Sequence, residues 1–149
     1  MARPPFSTTF QMIGIFDVLE HLPDDHGVLR DLWRLLDDAG TLLLTVPAHM
    51  SLWSAFDEAS GHCRRYSTRE LEGKLNEAGF RVDYITPYMA SIFPLVWLTR
   101  RLGRFFRRRE AAEDAVEREL HILPVVNGIL TALLLLEARW ISRRWRLPF

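Results

Sequence analysis

Acidic and imidazole side chains follow a long apolar run near the start of the chain. The run ends at Phe16, Asp17 comes next, and Glu20 and His21 follow three residues later. If this segment turns helically, the three polar side chains lie on one face, where two carboxylates and an imidazole could hold a divalent cation. Three residues are a small ligand set, so the favoured interpretation is that no metal binds and that Glu20 and His21 shape a ligand-binding loop. A metal site formed by Asp17, Glu20 and His21 is the alternative.

Two further histidines lie in the stretch 48–66, which has no clear periodicity and is predicted to be a long functional loop. Histidine accepts a proton near neutral pH, so it suits general-base catalysis on an acceptor group. We therefore predict His21, His49 and His62 as catalytic residues. The alternative for each is a hydrogen-bonded structural histidine.

The same stretch combines aromatic side chains with arginines. Aromatic rings offer flat apolar contact area, and a guanidinium can grip a carboxylate or phosphate through two hydrogen bonds. The predicted substrate-binding residues are Trp53, Asp57, Arg64, Arg65 and Tyr66. The alternative is a loop that packs on the end of the sheet with its arginines in solvent.

Periodicity predicts the elements that position these residues. The apolar run 10–16 has the composition of a parallel strand covered on both faces, and the apolar run 41–47 has the length of a second buried parallel strand. Apolar residues at helical spacing predict a helix over 24–37 between the two strands. Ligands in open α/β sheets bind at the carboxyl ends of the strands, which is where Asp17, Glu20 and His21 fall.

Local signals also predict a second helix and a third strand. Ser67 and Glu70 are spaced as a capping box, and Gly79 supplies the end of the helix. The buried face of this helix is predicted from three apolar residues, Leu71, Leu75 and Ala78. Alternating apolar residues over 80–86 predict a strand near the edge of the sheet.

Taken in order, the segments FDVLEHLPDD, AGTLLLTVPAH and RRYSTRELEGKLNEAGFRV resemble the second half of a class I S-adenosylmethionine-dependent methyltransferase. In that family the fourth strand ends in an acidic loop, a helix leads to the fifth strand, and another helix ends in AGF before the sixth strand. The resemblance covers residues 10–85. It implies an α/β fold, namely a partial Rossmann-like methyltransferase fold, followed here by a C-terminal helical extension.

The resemblance also implies a cofactor and its contacts. The cofactor would be S-adenosyl-L-methionine, and its methionine end would be lined by Phe16, Asp17, Val18 and Leu19. Some O-methyltransferases with a similar ExxEH pattern use it to hold a metal, whereas many relatives need none. The implied activity is methyl transfer to a small or lipid-linked acceptor, with the stretch 53–66 as the substrate wall.

The glycine-rich loop that binds the cofactor in this family is missing from the chain. The eight glycines are scattered, and none forms a GxGxG cluster. We therefore expect a chain truncated before that loop, with an irregular leader at 1–9, the C-terminal half of a methyltransferase domain at 10–88 and a helical extension at 89–149. In the family's strand order, 3-2-1-4-5-7-6, the sixth strand then has no neighbour. Methyl transfer would require the complete protein; the alternative is a non-catalytic module, membrane-peripheral or partner-binding, derived from a methyltransferase.

The extension combines apolar stretches with arginine clusters. Six arginines lie within 100–109 and four within 139–146, on either side of the apolar stretch 122–136. A helix needs about 20 apolar residues to span a bilayer, and this stretch is shorter. We therefore expect a helical hairpin that caps the fold or lies in a membrane interface. Arginines beside apolar surface attract anionic lipid, which predicts peripheral membrane contact through 91–149. The alternative is a solvated helix face.

Composition limits the remaining classes of function. The 149 residues carry 19 basic and 19 acidic side chains, so no net positive field argues for nucleic acid as a partner. The single cysteine, Cys63, excludes an intramolecular disulfide and fits a reducing compartment. No secretory signal is apparent, so we expect a cytoplasmic location, with any lipid contact at the inner face of the membrane.

Overall fold

The computed structural model describes residues 8–94, 97–98 and 124–147. Contacts divide them into two units, one formed by 8–50 and 62–83 and the other by 51–61 and the described residues from 84 onward. The first seven residues of the predicted leader, the arginines at 100–109 and the start of the apolar stretch 122–136 lie outside the described residues. The predicted domain boundary at residue 88 stays a prediction.

Three consecutive elements form the centre of the first unit: strand β1 (Phe10–Phe16), helix α1 (Asp25–Leu35) and strand β2 (Leu36–Thr45). The two strands pair in parallel, with Ile13 opposite Leu42 and Ile15 opposite Leu44. Parallel neighbours need a long crossover connection, which α1 supplies. The predicted α/β fold with adjacent parallel strands is confirmed.

The sheet is covered on one face only. Along β1, Ile13 and Ile15 are half-buried, whereas Met12 and Phe16 are 62% and 61% exposed. The alternation continues in β2, where Leu43 is exposed. Successive side chains of a strand point to opposite faces, so alternating burial means that one face packs and the other meets solvent. The prediction that β1 is buried on both faces is therefore wrong, because the two-stranded sheet of the described residues leaves its second face open.

Helix α1 begins as predicted and ends early. The side chain of its N-cap residue, Asp24, accepts a hydrogen bond from the Gly27 N–H at 2.8 Å. The helix ends at Leu35, short of the predicted Asp37, and β2 begins at once at Leu36. Asp37 and the aspartate after it would lie at the negative end of the helix dipole, which disfavours a longer helix.

The stretch 48–66 is more regular than the predicted loop. It contains a short 3₁₀ helix, Met50–Leu52, and a helix α2 (Ala55–Ala59). The Asp57 carboxylate stabilises the start of α2 by accepting a hydrogen bond from the N–H of the N-cap residue Ser54 at 2.8 Å. The prediction missed this helix because an acid three residues after a serine is a short signal inside an aperiodic stretch.

Helix α3 (Thr68–Ala78) follows its predicted signals. Ser67 caps it by accepting a hydrogen bond from the Glu70 N–H at 3.2 Å. Gly79 ends it with a φ of 105°, in the left-handed region that glycine adopts without strain. The predicted apolar face is buried in the core of this unit, which includes Leu19, Leu29, Leu71, Leu75 and Ala78.

Residues 80–86 do not form a strand, so that prediction is wrong. A strand persists only when its backbone groups pair with a neighbour. In the strand order that the resemblance implies, the neighbour is the seventh strand, and the sheet of the described residues consists of β1 and β2 alone. The backbone of 80–86 therefore has no ladder to join.

Helix α4 (Pro124–Ser142) is a long helix of the second unit and carries Glu137. The buried carboxylate of Glu137 accepts hydrogen bonds from the Ala90 N–H at 3.1 Å, the Ser91 N–H at 2.9 Å and the Ser91 hydroxyl at 2.6 Å. Burial tends to raise the pKa of Glu137, but these hydrogen bonds outweigh burial and lower it.

Within the described ranges, no helix has both the length and the apolar character that crossing a membrane requires.

We expect Gly79→Ala and Gly73→Ala to change stability in opposite directions. A Cβ at residue 79 would lie 2.9 Å from the indole of Trp33 at a positive φ, whereas a Cβ at residue 73 meets nothing within 4 Å. Gly79→Ala should lower the free energy of unfolding by about 1–3 kcal/mol through backbone strain. Gly73→Ala should raise it by about 0.5–1 kcal/mol, since alanine favours the helix. Urea denaturation measures both, and an unchanged or raised stability of Gly79→Ala would contradict the left-handed helix end.

Candidate functional site

The carboxyl ends of β1 and β2 are joined at Asp17, whose backbone is left-handed with a φ of 52°. Its N–H donates to the Thr45 carbonyl at 3.1 Å, and its Oδ1 accepts a hydrogen bond from the Thr45 hydroxyl at 3.1 Å. Left-handed backbone is uncommon outside glycine, and aspartate and asparagine adopt it more readily than other residues. This turn ends β1 and places the carboxylate at the edge of the sheet where α/β proteins bind ligands.

The four residues predicted to bind the cofactor differ in exposure. Phe16 and Val18 are 61% and 42% exposed on either side of Asp17, which is also exposed. Leu19 is completely buried in the core of the unit. Three of the four therefore present side chains to solvent at the end of β1, while Leu19 anchors the turn. Their part in cofactor binding stays a prediction.

Glu20, His21 and His62 form a cluster just beyond this turn. The 3₁₀ helix Leu19–His21 positions the first two residues. The Cys63 N–H donates to the Glu20 carbonyl at 2.7 Å and holds the segment of His62 against that helix. The His21 and His62 rings meet edge to face with centroids 4.7 Å apart. One potential ligand atom from each of the three side chains lies within 4.8 Å of the others.

The Glu20 carboxylate is buried without a hydrogen bond. The residue is 1% exposed, and neither carboxylate oxygen has a hydrogen-bond partner among the described residues. His21 Nε2 lies 4.0 Å from Glu20 Oε1, beyond hydrogen-bond range. Burial of an unpaired, ionised carboxylate costs several kcal/mol, which a positive charge beside it would offset.

The side chains that the structure brings together differ from those of the metal site predicted from the sequence as an alternative. That alternative consisted of Asp17, Glu20 and His21, but the group close enough to share an ion contains His62 in place of Asp17. The Asp17 carboxylate instead accepts a hydrogen bond from Thr45. Glu20 and His21 are adjacent in sequence, whereas no local signal links His62 to them.

A second cluster, which the sequence did not reveal, centres on Asp25 at the start of α1. Asp25 is 3% exposed and accepts a hydrogen bond from the Tyr66 hydroxyl at 2.9 Å. It also forms ion pairs with Arg64 at 2.8 Å and with Lys74 at 3.0 Å. Burial tends to raise the pKa of Asp25, but the hydrogen bonds from Lys74, Tyr66 and Arg64 together lower it. Burial and the bond to Asp25 raise the pKa of Tyr66, so this hydroxyl remains a neutral donor.

The predicted substrate-binding residues of the first unit all make structural hydrogen bonds. Arg64 donates to the Pro23 carbonyl at 2.8 Å in addition to its ion pair, and Arg65 donates to the Ala48 carbonyl at 3.1 Å. Tyr66 is 2% exposed. All three side chains thus take part in contacts within the protein, and their contact with a substrate stays a prediction.

Trp53 and Asp57, the other predicted substrate-binding residues, belong to the second unit. Trp53 Nε1 donates to Glu58 Oε1 at 3.3 Å. Asp57 is completely buried and caps α2 through Ser54. Asp57 therefore has a structural role in its own helix, and the substrate contact of both residues stays a prediction.

His49, the third predicted catalytic histidine, follows β2 and has a left-handed backbone with a φ of 60°. Its N–H donates to the Tyr66 carbonyl at 3.1 Å, and the Tyr66 N–H donates to the Pro47 carbonyl at 2.9 Å. These bonds tie the segment after β2 to the segment that carries His62. The structure thus brings His21 and His62 into contact and places His49 after the neighbouring strand.

Comparison with known protein families shows to which family this chain belongs. The model of a family described as a methyltransferase domain matches residues 3–85, more than half of the sequence. The chain belongs to the methyltransferase-domain family. No curated protein and no solved structure matches it significantly. The matched part of this methyltransferase domain contains the turn at Asp17, both imidazoles of the cluster and Asp25, and the family resemblance expected from the sequence is confirmed.

We expect Asp25→Asn to lower the free energy of unfolding of this methyltransferase domain by about 3 kcal/mol. The change leaves Arg64 and Lys74 without the buried carboxylate that they share. Asp31→Asn is the matched control, because its partner Arg34 is largely exposed and the pair contributes less than about 1 kcal/mol. Urea denaturation at neutral pH measures both variants. Equal losses of unfolding free energy would show that the Asp25 cluster contributes no more than the exposed pair of Asp31 and Arg34.

The Asp25 cluster also gives stability a pH dependence. Because folding lowers the pKa of Asp25, its contribution is complete above the ordinary aspartate pKa of about 3.9 and is lost as the pH falls through the folded value. The unaltered protein should therefore lose stability more steeply than Asp25→Asn below about pH 4. Parallel stability curves for the two proteins in acid would contradict this assignment.

Proposed function

We propose that this chain takes part in S-adenosylmethionine-dependent methyl transfer to a small or lipid-linked acceptor. The observation that carries the proposal is the turn at Asp17. It is a left-handed aspartate, hydrogen-bonded to Thr45, at the carboxyl edge of two parallel strands in a methyltransferase domain. That edge is the usual ligand site of open α/β sheets.

The side chains at this edge fit the methionine end of the cofactor. The exposed Asp17 carboxylate would pair with the ammonium group, and the exposed Phe16 and Val18 would contact the apolar atoms beside it. Bound S-adenosylmethionine supplies a methyl group on a positively charged sulfur. Because the sequence contains no GxGxG cluster to hold the rest of the cofactor, we expect the 149-residue chain alone to bind it weakly.

On the acceptor side, the candidate bases are His21, His49 and His62. A neutral imidazole can take the proton that a hydroxyl or amine acceptor loses when it is methylated. Backbone hydrogen bonds hold two of the imidazole-bearing segments in place, one from Cys63 to Glu20 and one from His49 to Tyr66. Fixed positions matter because the methyl group passes in line from the sulfur to the acceptor atom, so the reaction depends on how the acceptor is oriented.

A second candidate function is a non-catalytic role at a membrane surface or on a partner protein. It is favoured by apolar side chains of α4 that are between 41% and 62% exposed, namely Ile129, Leu135, Leu136 and Trp140. Arginines at 139, 143, 144 and 146 lie beside them in sequence. Apolar area combined with basic charge binds anionic lipid, which would place residues 91–149 at the inner, cytoplasmic face of a membrane. Such contact is also compatible with methylation of a lipid-linked acceptor.

We expect S-adenosylhomocysteine at millimolar concentration to shift the backbone NMR signals of residues 16–19. Asp17→Asn should weaken the binding about tenfold or more, because it removes a charged partner while keeping a residue that tolerates the left-handed turn. Asp83→Asn is the matched control, since Asp83 is exposed and pairs with its near neighbour Arg81. A titration of chemical shifts gives the affinity of each protein.

Two outcomes of this titration would contradict the proposal. Shifts that spare residues 16–19 would remove this edge from the cofactor site. Equal weakening by Asp17→Asn and Asp83→Asn would show that the loss reflects overall charge. Micromolar affinity of the unaltered chain would contradict the narrower expectation that the missing glycine-rich loop limits binding.

We expect the protein to float with vesicles that contain phosphatidylglycerol. With vesicles of phosphatidylcholine alone, it should not float. The double change Arg143→Glu and Arg146→Glu should lower binding at least about tenfold, since each basic residue contributes about 1 kcal/mol. The matched control is Arg30→Glu with Arg34→Glu, which alters the net charge equally in the first unit. Salt should weaken the binding. No flotation of the folded protein at low salt would rule out membrane contact.

A further inference from the structure

The buried Glu20 carboxylate is the feature of the first unit that its own protein contacts do not explain. The side chain is 1% exposed and, within the part of the chain that the structure describes, accepts no hydrogen bond at either oxygen. An ionised carboxylate in that position is costly unless a positive charge lies beside it. Two basic side chains of this unit, Arg64 and Lys74, pair with Asp25.

The groups that do face this carboxylate are two imidazoles. His21 Nε2 lies 4.0 Å from Glu20 Oε1, and the ring of His62 meets the ring of His21 edge to face. Potential ligand atoms of all three side chains lie within 4.8 Å of one another. Ligands on one ion, each at about 2.1 Å, stand at most about 4.2 Å apart, so small side-chain rotations would bring this group to coordination distance.

The backbone holds the three side chains in this arrangement. Glu20 and His21 share the 3₁₀ helix Leu19–His21, and the hydrogen bond from the Cys63 N–H to the Glu20 carbonyl, 2.7 Å long, fixes the neighbouring His62. The Cys63 thiol also donates to the His21 carbonyl at 3.5 Å. Ligands that are ordered before an ion arrives lose little conformational entropy when it binds.

We propose that Glu20, His21 and His62 form a binding site for a first-row divalent metal ion such as Zn²⁺. Two imidazole nitrogens and one carboxylate oxygen suit zinc and its neighbours, whereas magnesium and calcium prefer oxygen ligands. Three protein ligands leave at least one coordination position open to water or to an oxygen of a bound molecule. The cation also supplies the positive charge that the buried carboxylate of Glu20 lacks.

Calorimetric titration of the metal-free 149-residue chain with Zn²⁺ tests the site directly. One equivalent should bind the unaltered protein, and Glu20→Gln or His62→Ala should each weaken binding at least about tenfold, as loss of a ligand does. His62 is only half-buried, so His62→Ala is informative even if Glu20→Gln folds poorly. Co²⁺ should show the visible absorption of a site with nitrogen and oxygen ligands, and His62→Ala should abolish it.

His26→Ala is the matched control. His26 also contacts a carboxylate, with His26 Nε2 lying 2.7 Å from Glu77 Oε2, but this pair joins α1 to α3 at an exposed position. The control should bind Zn²⁺ as tightly as the unaltered protein, and Mg²⁺ at the same concentration should give no saturable binding. Equal loss in His26→Ala and His62→Ala, or unchanged affinity in Glu20→Gln and His62→Ala, would overturn the site. The titration contains neither cofactor nor acceptor, so its outcome is independent of methyl transfer.

Discussion

The buried carboxylate of Asp25 is the interaction on which the first unit depends. It is the shared partner of Arg64, Tyr66 and Lys74, so it links the start of α1 to α3 and to the segment that precedes α3. A charge buried among several donors is stable only while the whole network is intact. Because Arg64 and Tyr66 lie in the same short segment as His62, their attachment to Asp25 also sets where that imidazole stands. A structural network therefore fixes the geometry of the neighbouring histidine cluster.

Elements whose signals are local could be predicted from the sequence, and elements that need a distant partner could not. Helix α3 is marked at its start by Ser67 and at its end by Gly79, within its own few residues. The stretch 80–86 has the alternation of a strand, but its backbone pairing depends on another strand that the alternation cannot supply. The burial of β1 was overestimated for the same reason. Apolar composition shows that a strand can be covered, and only the tertiary structure shows whether anything covers it.

The same physical limit applies to the candidate site. Glu20 and His21 are adjacent, so their proximity is visible in the sequence, whereas His62 joins them only through the fold. Arg64 has the residue type of an anion-binding group, yet its charge is committed to a buried aspartate. That aspartate, Asp25, looked like an ordinary acid in the first turn of a helix, where the dipole favours negative charge. The types of the side chains show which chemistry the chain could perform. Long-range pairing decides which of those side chains remain available to a ligand.

The sheet with one covered face limits how much new surface unfolding can expose. Met12, Phe16 and Leu43 are already in contact with solvent in the folded chain. The denaturant sensitivity and the heat-capacity change of unfolding both scale with the apolar area that becomes newly exposed. We therefore expect the chain to unfold over a wide range of urea concentration, and its stability to vary less with temperature than that of a two-sided α/β domain of equal length. Gradual melting would then follow from the architecture, separately from how stable the protein is.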